Sequence, residues 1–552
     1  MSTQNATQAG RAALVRWQHA QPSDFYADDA ELQSLITAHG LQEREPSLHR
    51  TGQVVAGPLD RVVRANNVGR NLPVLDDYDD VGNFTARVSH HPAWWAAGRL
   101  IYGTGIMAAY GEPTVSHRYI LTLFYLTAQA GEAGHNCPLA CAAGAIRSLQ
   151  ALGTEGQKAG PLARLLDPDF QSNWTASQFL TEVQGGSDVG ANTLQATPME
   201  PLETAAQGGG RWRLDGEKWF CSNADADVFL VTARVSASET GTRGLGLFVV
   251  PRCLPDGTPN GFHIRRLKDK LGTRSMASGE IDFVGAEAEA LGPVNQGFKT
   301  VIELVITTSR LYNAMGCAGH CRRAWVVAST YAQHRTAFGQ PIGRFPQVQE
   351  TLAWMRADSA ACLAGTMWLA GLQEKVDQNA ASDIERACFR VAVNLNKLRT
   401  SVVAHDTVNR GIEVLGGNGA IETFSVLPRL LRDNVVYENW EGSHNVLRAQ
   451  VVRDCLKYGV HKGFFAVLRQ MLPGDAAALD AEEQALEAVL GSAAAIRDLA
   501  FRRTADRLAT WVMLAGLSLA PELADAAAMT RRHLGHLEID DDYVALVGRL
   551  QR

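Results

Sequence analysis

The chain reads Arg211-Trp212-Arg213-Leu214-Asp215-Gly216-Glu217-Lys218-Trp219-Phe220 at the start of its β-rich region. Apolar and charged residues alternate here with the period of two that is typical of a strand with one buried face. An Asp-Gly pair is a common two-residue turn between antiparallel strands. The pattern therefore predicts a strand, a hairpin turn at Asp215-Gly216 and a second strand.

More short apolar runs follow at residues 228–231, 247–250 and 281–283, separated by glycine-rich turns. Several short strands at such spacing indicate a small β-barrel or sandwich. We predict a middle β-barrel domain over residues 175–292. The residue patterns on both sides of this region are typical of helices.

Residues 1–174 form the predicted N-terminal helical domain, in which Pro92 suits the first turn of a helix. Beyond the barrel, Val301, Val305, Tyr312 and Met315 share one helical face, and similar stripes recur downstream. We predict a four-helix bundle over residues 293–460 and an extra C-terminal helical domain over residues 461–552. The predicted fold class is a multidomain α+β protein. A doubly wound sheet is not supported, because no GxGxxG motif follows a strand.

Composition narrows the class of protein. The chain has 552 residues, 46% hydrophobic and 20% charged, with a net charge of -6, so nothing in the charge favours a nucleic-acid partner. We expect no signal peptide and no membrane segment. The nine cysteines include no CxxC pair, which predicts a reducing, cytoplasmic location. The pair His90-His91 is interpreted as a helix start, and no metal site is expected.

Two segments of the predicted barrel could contact a planar polar ligand. Thr181, Gly186 and Ser187 belong to a Gly-Gly turn that exposes backbone N–H groups and short side chains. Phe220 and Ser222 lie two residues apart on a strand, where an aromatic ring and a hydroxyl point the same way. The alternative is a tight turn in the first case and an ordinary strand end in the second.

Two further segments belong to the helical region. Arg335 carries the planar fork that suits a diphosphate, and Phe338 follows it in the same loop. Gly416 and Gly417 form a second Gly-rich turn that could lie close to a phosphate chain or a sugar. A surface arginine and a helix C-cap are the alternatives.

The stretch Trp440-Glu441-Gly442-Ser443 places a carboxylate between an indole and a glycine. The indole lowers the local polarity around the acid, and the glycine lets the backbone approach a flat ligand. Such a carboxylate could remove a proton from carbon. The alternative, which the tetrapeptide alone favours, is a buried structural glutamate at a turn. Glu438 is the rival base and is interpreted as a surface or ion-pair residue, while Glu182 is interpreted as structural.

Taken in order, these segments resemble the acyl-CoA dehydrogenase flavoprotein superfamily, and within it the AidB-like branch. The motifs that carry the resemblance are Thr181-Glu182 with Gly185-Gly186-Ser187-Asp188, Lys268-Asp269-Lys270-Leu271-Gly272, Arg335 with Phe338-Gly339, Gly416-Gly417, Arg432-Asp433 and Glu441-Gly442-Ser443. His91-Pro92-Ala93-Trp94 and Glu132-Ala133-Gly134-His135-Asn136-Cys137-Pro138 are similar to the AidB-like branch in particular.

The resemblance implies a function and a set of roles. FAD would be the cofactor of an acyl-CoA dehydrogenase, with Glu441 as the base that takes the α-proton of an acyl thioester. Thr181, Gly186, Ser187, Phe220, Ser222, Gly416, Gly417, Ser443 and Asn445 would bind FAD, and Arg335 and Phe338 would reach its adenine half, from a neighbouring subunit if the protein is a tetramer. The expected electron acceptor is electron-transfer flavoprotein.

The C-terminal region departs from the AidB pattern, in which a basic domain is associated with DNA. From Gly463 onwards there are nine arginines, no lysine and thirteen acidic residues, so we expect weak DNA binding or none. The alternatives are a DNA-associated stress flavoprotein with weak dehydrogenase activity, an oxygen-using oxidase or monooxygenase, and an acyl-binding flavoprotein without turnover.

Overall fold

A computed structural model describes residues 3–236, 239–535 and 537–551. The chain divides into two compact units. The first, called the bundle unit here, comprises the residues up to Gly57, Ser116–Gly131 and the residues from Arg310 onwards. The second, called the barrel unit, comprises Pro58–Val115 and Glu132–Ser309.

The strands are β1 Val74–Tyr78, β2 Phe84–Ser89, β3 Ala176–Phe179, β4 Gln195–Pro198, β5 Arg211–Ser222, β6 Val228–Arg234, β7 Leu245–Pro251, β8 Phe262–Leu267, β9 Ser278–Ala290, β10 Thr336–Ala337 and β11 Gln340–Pro341. The pairings β4–β5, β5–β9, β9–β7, β7–β6 and β6–β4 close a ring, which β3 and β8 extend. Its interior is apolar and includes Trp212, Phe229, Phe248 and Ile281. The predicted β-barrel is confirmed.

The predicted hairpin at Asp215-Gly216 is wrong. Strand β5 runs through both residues without turning, because β9 pairs with it on either side of them. The register shifts by one residue between Leu214 and Asp215, where Gly285 of β9 forms a bulge and donates its N–H to Asp215 Oδ1 at 2.8 Å. A glycine inside a strand often marks a bulge, and pairing along a long neighbour outweighs the local turn preference here.

The α-helices are α1 Thr3–His19, α2 Ala30–Ala38, α3 Glu45–Val54, α4 Asp60–Asn66, α5 Pro92–Tyr102, α6 His117–Ala128, α7 Ala133–Leu152, α8 Glu155–Gln157, α9 Ala163–Leu165, α10 Leu202–Ala205, α11 Gly297–Thr300, α12 Thr307–His334, α13 Pro346–Asp377, α14 Asp383–Leu415, α15 Leu427–Asn439, α16 His444–Tyr458, α17 His461–Met471, α18 Ala476–Gly491, α19 Ala494–Leu517, α20 Ala524–Arg531 and α21 Asp541–Leu550. Among the described residues, no helix is both long and apolar enough to cross a membrane.

Helix starts follow local chemistry. Helix α5 begins at Pro92, as predicted, and the His91 ring accepts a hydrogen bond from the Ala93 N–H. Helix α14 begins with a capping box in which Ser382 and Glu385 bond each other's backbone N–H groups. Helix α14 then packs against α13, α15, α16 and α17. Helix α15 and the β1–β2 pair were not predicted from the sequence.

Candidate functional site

Within the barrel unit, the Gly-Gly turn lies against strand β5. The Trp219 N–H donates to the Thr181 carbonyl at 2.9 Å. A side chain on Gly186 would come within 2.5 Å of Thr181 Oγ1, so glycine is required for this close approach. Ser187 follows as an exposed residue. The structure therefore brings together the backbone around Thr181, Gly186 and Phe220.

The same stretch of β5 is bulged, which explains the exposure of its aromatic ring. Trp219 and Phe220 together oppose one residue of β9, and Phe220 keeps 54% of its surface exposed. Lys268 Nζ lies 3.5 Å from the Trp219 ring centroid and 4.7 Å from that of Phe220. Ser222 is half-buried at the end of the strand. An exposed ring beside a hydroxyl is a surface on which a flat heterocycle can stack.

Glu182 is structural, in agreement with its interpretation from sequence. Its carboxylate is buried and accepts hydrogen bonds from Lys218 Nζ at 2.9 Å and from the backbone N–H groups of Thr193 and Leu194. Burial raises the pKa of Glu182, but the Lys218 ammonium and the Thr193 N–H outweigh it and hold the pKa at about 2. The ion pair fastens the turn to β5.

Within the bundle unit, the connection from α15 to α16 has an unusual backbone. Glu441 has φ +58° and Gly442 has φ +103°. A non-glycine residue in this region is strained unless its surroundings hold it there. Glu441 is half-buried, and the Trp440 ring packs edge-on against Tyr437 with centroids 4.9 Å apart. Trp440 and Glu441 are thus neighbours in a half-buried loop with an unusual backbone.

Two buried cationic side chains hold this loop by its carbonyl oxygens. Arg310 Nε, from α12, donates to the Glu441 carbonyl at 3.0 Å. Lys397 Nζ, from α14, donates to the carbonyls of Glu438 at 3.1 Å and Gly442 at 3.0 Å. Burial lowers the pKa of Arg310 to about 10 and that of Lys397 to about 8. Both therefore carry charge at neutral pH.

Glu438, the rival base, contacts two histidine side chains. Its Oε1 lies 2.7 Å from His405 Nδ1, and its Oε2 lies 3.8 Å from His444 Nε2. Burial lowers the pKa of His444 to about 4, with the Lys397 and Arg448 charges acting in the same direction. The Glu438 carboxylate thus contacts His405, whereas Glu441 sits in the strained loop.

Two other groups of predicted bundle residues, Arg335 with Phe338 and Gly416 with Gly417, lie apart from Glu441. Phe338 is 97% exposed at the tip of the β10–β11 hairpin, next to the exposed Arg335. Gly416 lies beyond the end of α14, about 28 Å from Lys397 along the helix at the usual helical rise. Asn418 of this glycine turn donates to the Tyr331 hydroxyl at 3.2 Å, which brings the turn to the end of α12 that precedes Arg335.

Ser443 and Asn445 remain close to Glu441 in the chain. Ser443 is the residue before α16, and Asn445 Oδ1 accepts a hydrogen bond from Arg448 Nη1 at 3.0 Å. The bundle unit therefore holds two groups of predicted residues, one around the Glu441 loop and one around the β10–β11 hairpin.

Arg310 and Lys397 were not predicted as site residues. In the sequence, each is recognisable only as a charged residue within an otherwise apolar helix face. This does not reveal which carbonyl oxygens the side chain contacts. No group of three or more His, Cys, Asp or Glu side chains in residues 3–236, 239–535 and 537–551 is placed to hold a metal ion. A proton acceptor held by its backbone is what the arrangement offers chemically.

Comparisons with known proteins match three successive parts of the chain to known domain families. The acyl-CoA dehydrogenase C-terminal domain matches residues 295–456 and the middle domain matches residues 177–285. The N-terminal domain of the adaptive response protein AidB matches residues 17–170. AidB of Escherichia coli is 32% identical over 444 residues, which are 78% of this chain and 78% of that protein.

Acyl-CoA dehydrogenase family member 11 of Caenorhabditis elegans is 29% identical over 478 residues, 82% of this chain and 75% of that protein. The crystal structure of Caenorhabditis elegans ACDH-11 in complex with C11-CoA has 25% identity and a TM-score of 0.81, covering 95% of this chain and 94% of that chain. A Bacillus anthracis acyl-CoA dehydrogenase complexed with FAD has 18% identity, a TM-score of 0.67 and coverage of 93% and 92%, and shows the shared fold.

The predicted fold class and the predicted family are both confirmed by these matches. Identity to AidB extends over more than three quarters of each chain, and the three matching domains follow one another in the predicted order. The chain belongs to the acyl-CoA dehydrogenase family, in the branch that carries the AidB N-terminal domain.

Proposed function

We propose that this protein is an FAD-dependent acyl-CoA dehydrogenase in which Glu441 is the catalytic base. The observation that carries the assignment is the strained loop in which buried Arg310 and Lys397 hold backbone carbonyls around Glu441. The Glu441 carboxylate takes the α-proton of the acyl thioester. The β-hydrogen leaves with its electron pair, and a carbon–carbon double bond forms.

FAD, when bound, supplies the acceptor for that hydride. Several predicted residues fit such a flat, polar group. The exposed Phe220 ring and the nearby Ser222 hydroxyl suit an isoalloxazine, with Thr181, Gly186 and Ser187 beside them. Among the described residues, no atom lies within 4 Å of a side chain built on Gly416 or Gly417, so that backbone is open to a ligand.

The remaining assignments rest on the family. We propose that Ser443 and Asn445 also contact FAD and that Arg335 and Phe338 serve its adenine half. The 97% exposure of Phe338 supports a role toward another subunit of a homotetramer, whose mass light scattering would test. Electron-transfer flavoprotein is the proposed acceptor, and the cytoplasm is the proposed location.

The decisive experiment is anaerobic titration of the FAD-loaded protein with acyl-CoA thioesters. A panel of straight chains from short to long, with isovaleryl-CoA as a branched member, reports both activity and chain preference. Loss of the flavin absorbance near 450 nm with one or more thioesters is the expected result. Flavin that stays oxidised with every member would refute the dehydrogenase and favour an acyl-binding or stress-related flavoprotein.

The base is tested by two matched substitutions. Glu441→Gln removes the proton acceptor without changing its size, so the rate of flavin reduction should fall by about 10²–10⁴-fold while FAD stays bound. Glu438→Gln removes the rival carboxylate, and the rate should stay within a few-fold of wild type. The reverse pattern would move the base to Glu438.

A further inference from the structure

We propose that Lys397 is a positioning residue for Glu441, and that its buried ammonium fixes the loop on which the carboxylate stands. This inference deepens the proposed function and rests on it for the role of Glu441. Lys397 acts through the backbone, since its hydrogen bonds go to the carbonyls of Glu438 and Gly442. It contacts the residues on both sides of the strained segment.

The location of these carbonyls explains why a cation is suited to the task. Helix α15 ends at Asn439, so the Glu438 carbonyl belongs to its last turn and has no helical partner beyond it. The negative end of the helix dipole lies there and favours a positive charge. The Gly442 carbonyl lies just before α16. The Lys397 ammonium therefore links the last turn of α15 to the residues that precede α16.

Arg310 completes the hold on the loop. Its Nε donates to the Glu441 carbonyl, and its Nη1 donates to Asn394 Oδ1 at 2.5 Å. Asn394 precedes Lys397 by three residues on α14, so both are on the same face of that helix. Side chains from helices α12 and α14 thus hold three carbonyl oxygens, those of residues 438, 441 and 442.

An ordinary structural lysine would be paired with a carboxylate. Lys397 has none of its surface exposed, and its Nζ donates to two backbone carbonyl oxygens. The titratable groups around it are Arg310 of α12, Glu438 of α15, Glu441, His444 and the Cys317 thiol. Burying an ammonium among carbonyl oxygens is costly, and holding the loop is the function that the contacts assign to it.

The test compares three variants of the FAD-loaded protein. Lys397→Met keeps the length of the side chain and removes the charge and the donors. Lys397→Ala leaves space for an added alkylamine, which can restore the ammonium. Lys375→Met is the matched control, because Lys375 is exposed and its ammonium pairs with the Glu385 side chain. Hydrogen exchange of peptides covering residues 436–446 is measured beside flavin reduction and FAD content.

In Lys397→Met, the loop amides should exchange their hydrogens roughly tenfold faster than in the wild type. Its rate of flavin reduction per bound FAD should fall about 100-fold, with KM nearly unchanged, because the carboxylate is displaced and substrate binding is not. Lys375→Met should match wild type in both measurements. Propylamine should restore part of the rate of flavin reduction of Lys397→Ala. This second variant keeps the inference testable if Lys397→Met does not fold.

The inference would be overturned if Lys397→Met shows the amide exchange and the rate of flavin reduction of the wild type. It would also be overturned if Lys397→Ala reduces its flavin at the wild-type rate without added amine. The exchange arm is independent of activity. If no acyl-CoA reduces the wild-type flavin, the proposed function fails, and loop exchange still decides whether Lys397 orders the segment.

Discussion

At the scale of single residues, the φ of +103° makes Gly442 the residue of the loop that is least tolerant of a side chain. A Cβ at this position would lie 3.1 Å from Leu447 Cδ2 and 3.5 Å from Arg310 Nη2. Gly442→Ala should cost about 1–3 kcal/mol of unfolding free energy through backbone strain. Because Arg310 holds the Glu441 carbonyl, the rate of flavin reduction should also fall, by about 10–100-fold.

Gly459 provides the control for this prediction. It ends α16 with φ +63° and has no described atom within 4 Å of a built Cβ. Gly459→Ala should lose about 1–2 kcal/mol of stability and keep its rate per bound flavin. Thermal unfolding and anaerobic flavin reduction are measured on both variants. Equal rates in the two would mean that the loop tolerates displacement and that Glu441 is not held by Gly442.

At the same scale, the sequence identified Glu441 but not the residues that hold it. The motif Trp440-Glu441-Gly442 can be recognised in the sequence because its three residues are consecutive. Lys397 lies more than forty residues away from Gly442 along the chain, and its partners are carbonyl oxygens, which every residue has. Such contacts become visible only when α14 is packed against α15.

At the scale of elements, the buried pair Glu182–Lys218 links the Gly-Gly turn to β5 and should give stability a characteristic pH dependence. The folded-state pKa of Glu182 is about 2, below its ordinary 4.5. Its contribution is therefore complete above about pH 4.5 and is lost as the pH falls toward 2. Glu182→Gln mimics the protonated acid and should be less stable by about 3–5 kcal/mol at pH 7.

The free-energy gap between wild type and Glu182→Gln should then shrink between pH 4.5 and pH 2, as measured by urea unfolding at a series of pH values. Glu217→Gln is a suitable control next to Lys218 in β5, because Glu217 pairs with the exposed Arg265 and such pairs contribute about 0–1 kcal/mol. A gap for Glu182→Gln that does not change with pH would show that Glu182 is not ionised in the folded barrel.

Secondary-structure elements are predicted correctly from sequence patterns where the cause is local, and wrongly where it is distant in the chain. The helix start at Pro92 was predicted because a proline at the first turn acts locally. The hairpin at Asp215-Gly216 was wrong because the outcome depends on β9, which follows more than sixty residues later and pairs with both halves of β5. The alternation itself was correct, since Trp212 and Leu214 are both buried in the barrel.

At the scale of the whole molecule, charge decides whether DNA is a plausible partner. The net charge is -6, and several arginines of the C-terminal helices pair with acidic side chains. Arg469 lies 2.7 Å from Asp480, Arg549 lies 2.9 Å from Asp525, and Arg507 pairs with Glu482. Paired arginines neutralise few phosphates, so little counterion release is available to drive binding.

We therefore expect duplex DNA to bind more weakly than about 10⁻⁵ M at 50 mM salt, with a shallow salt dependence, in fluorescence anisotropy titrations. Exchanging Asp540, Asp541 and Asp542 for asparagine should strengthen binding measurably, since it removes three negative charges while an asparagine at 540 can still cap α21. That variant shows that the assay detects a weak interaction. Submicromolar binding by the wild type that weakens steeply with salt would instead mean that exposed basic residues such as Arg502 and Arg503 form a phosphate-binding surface despite the acidic balance of the region.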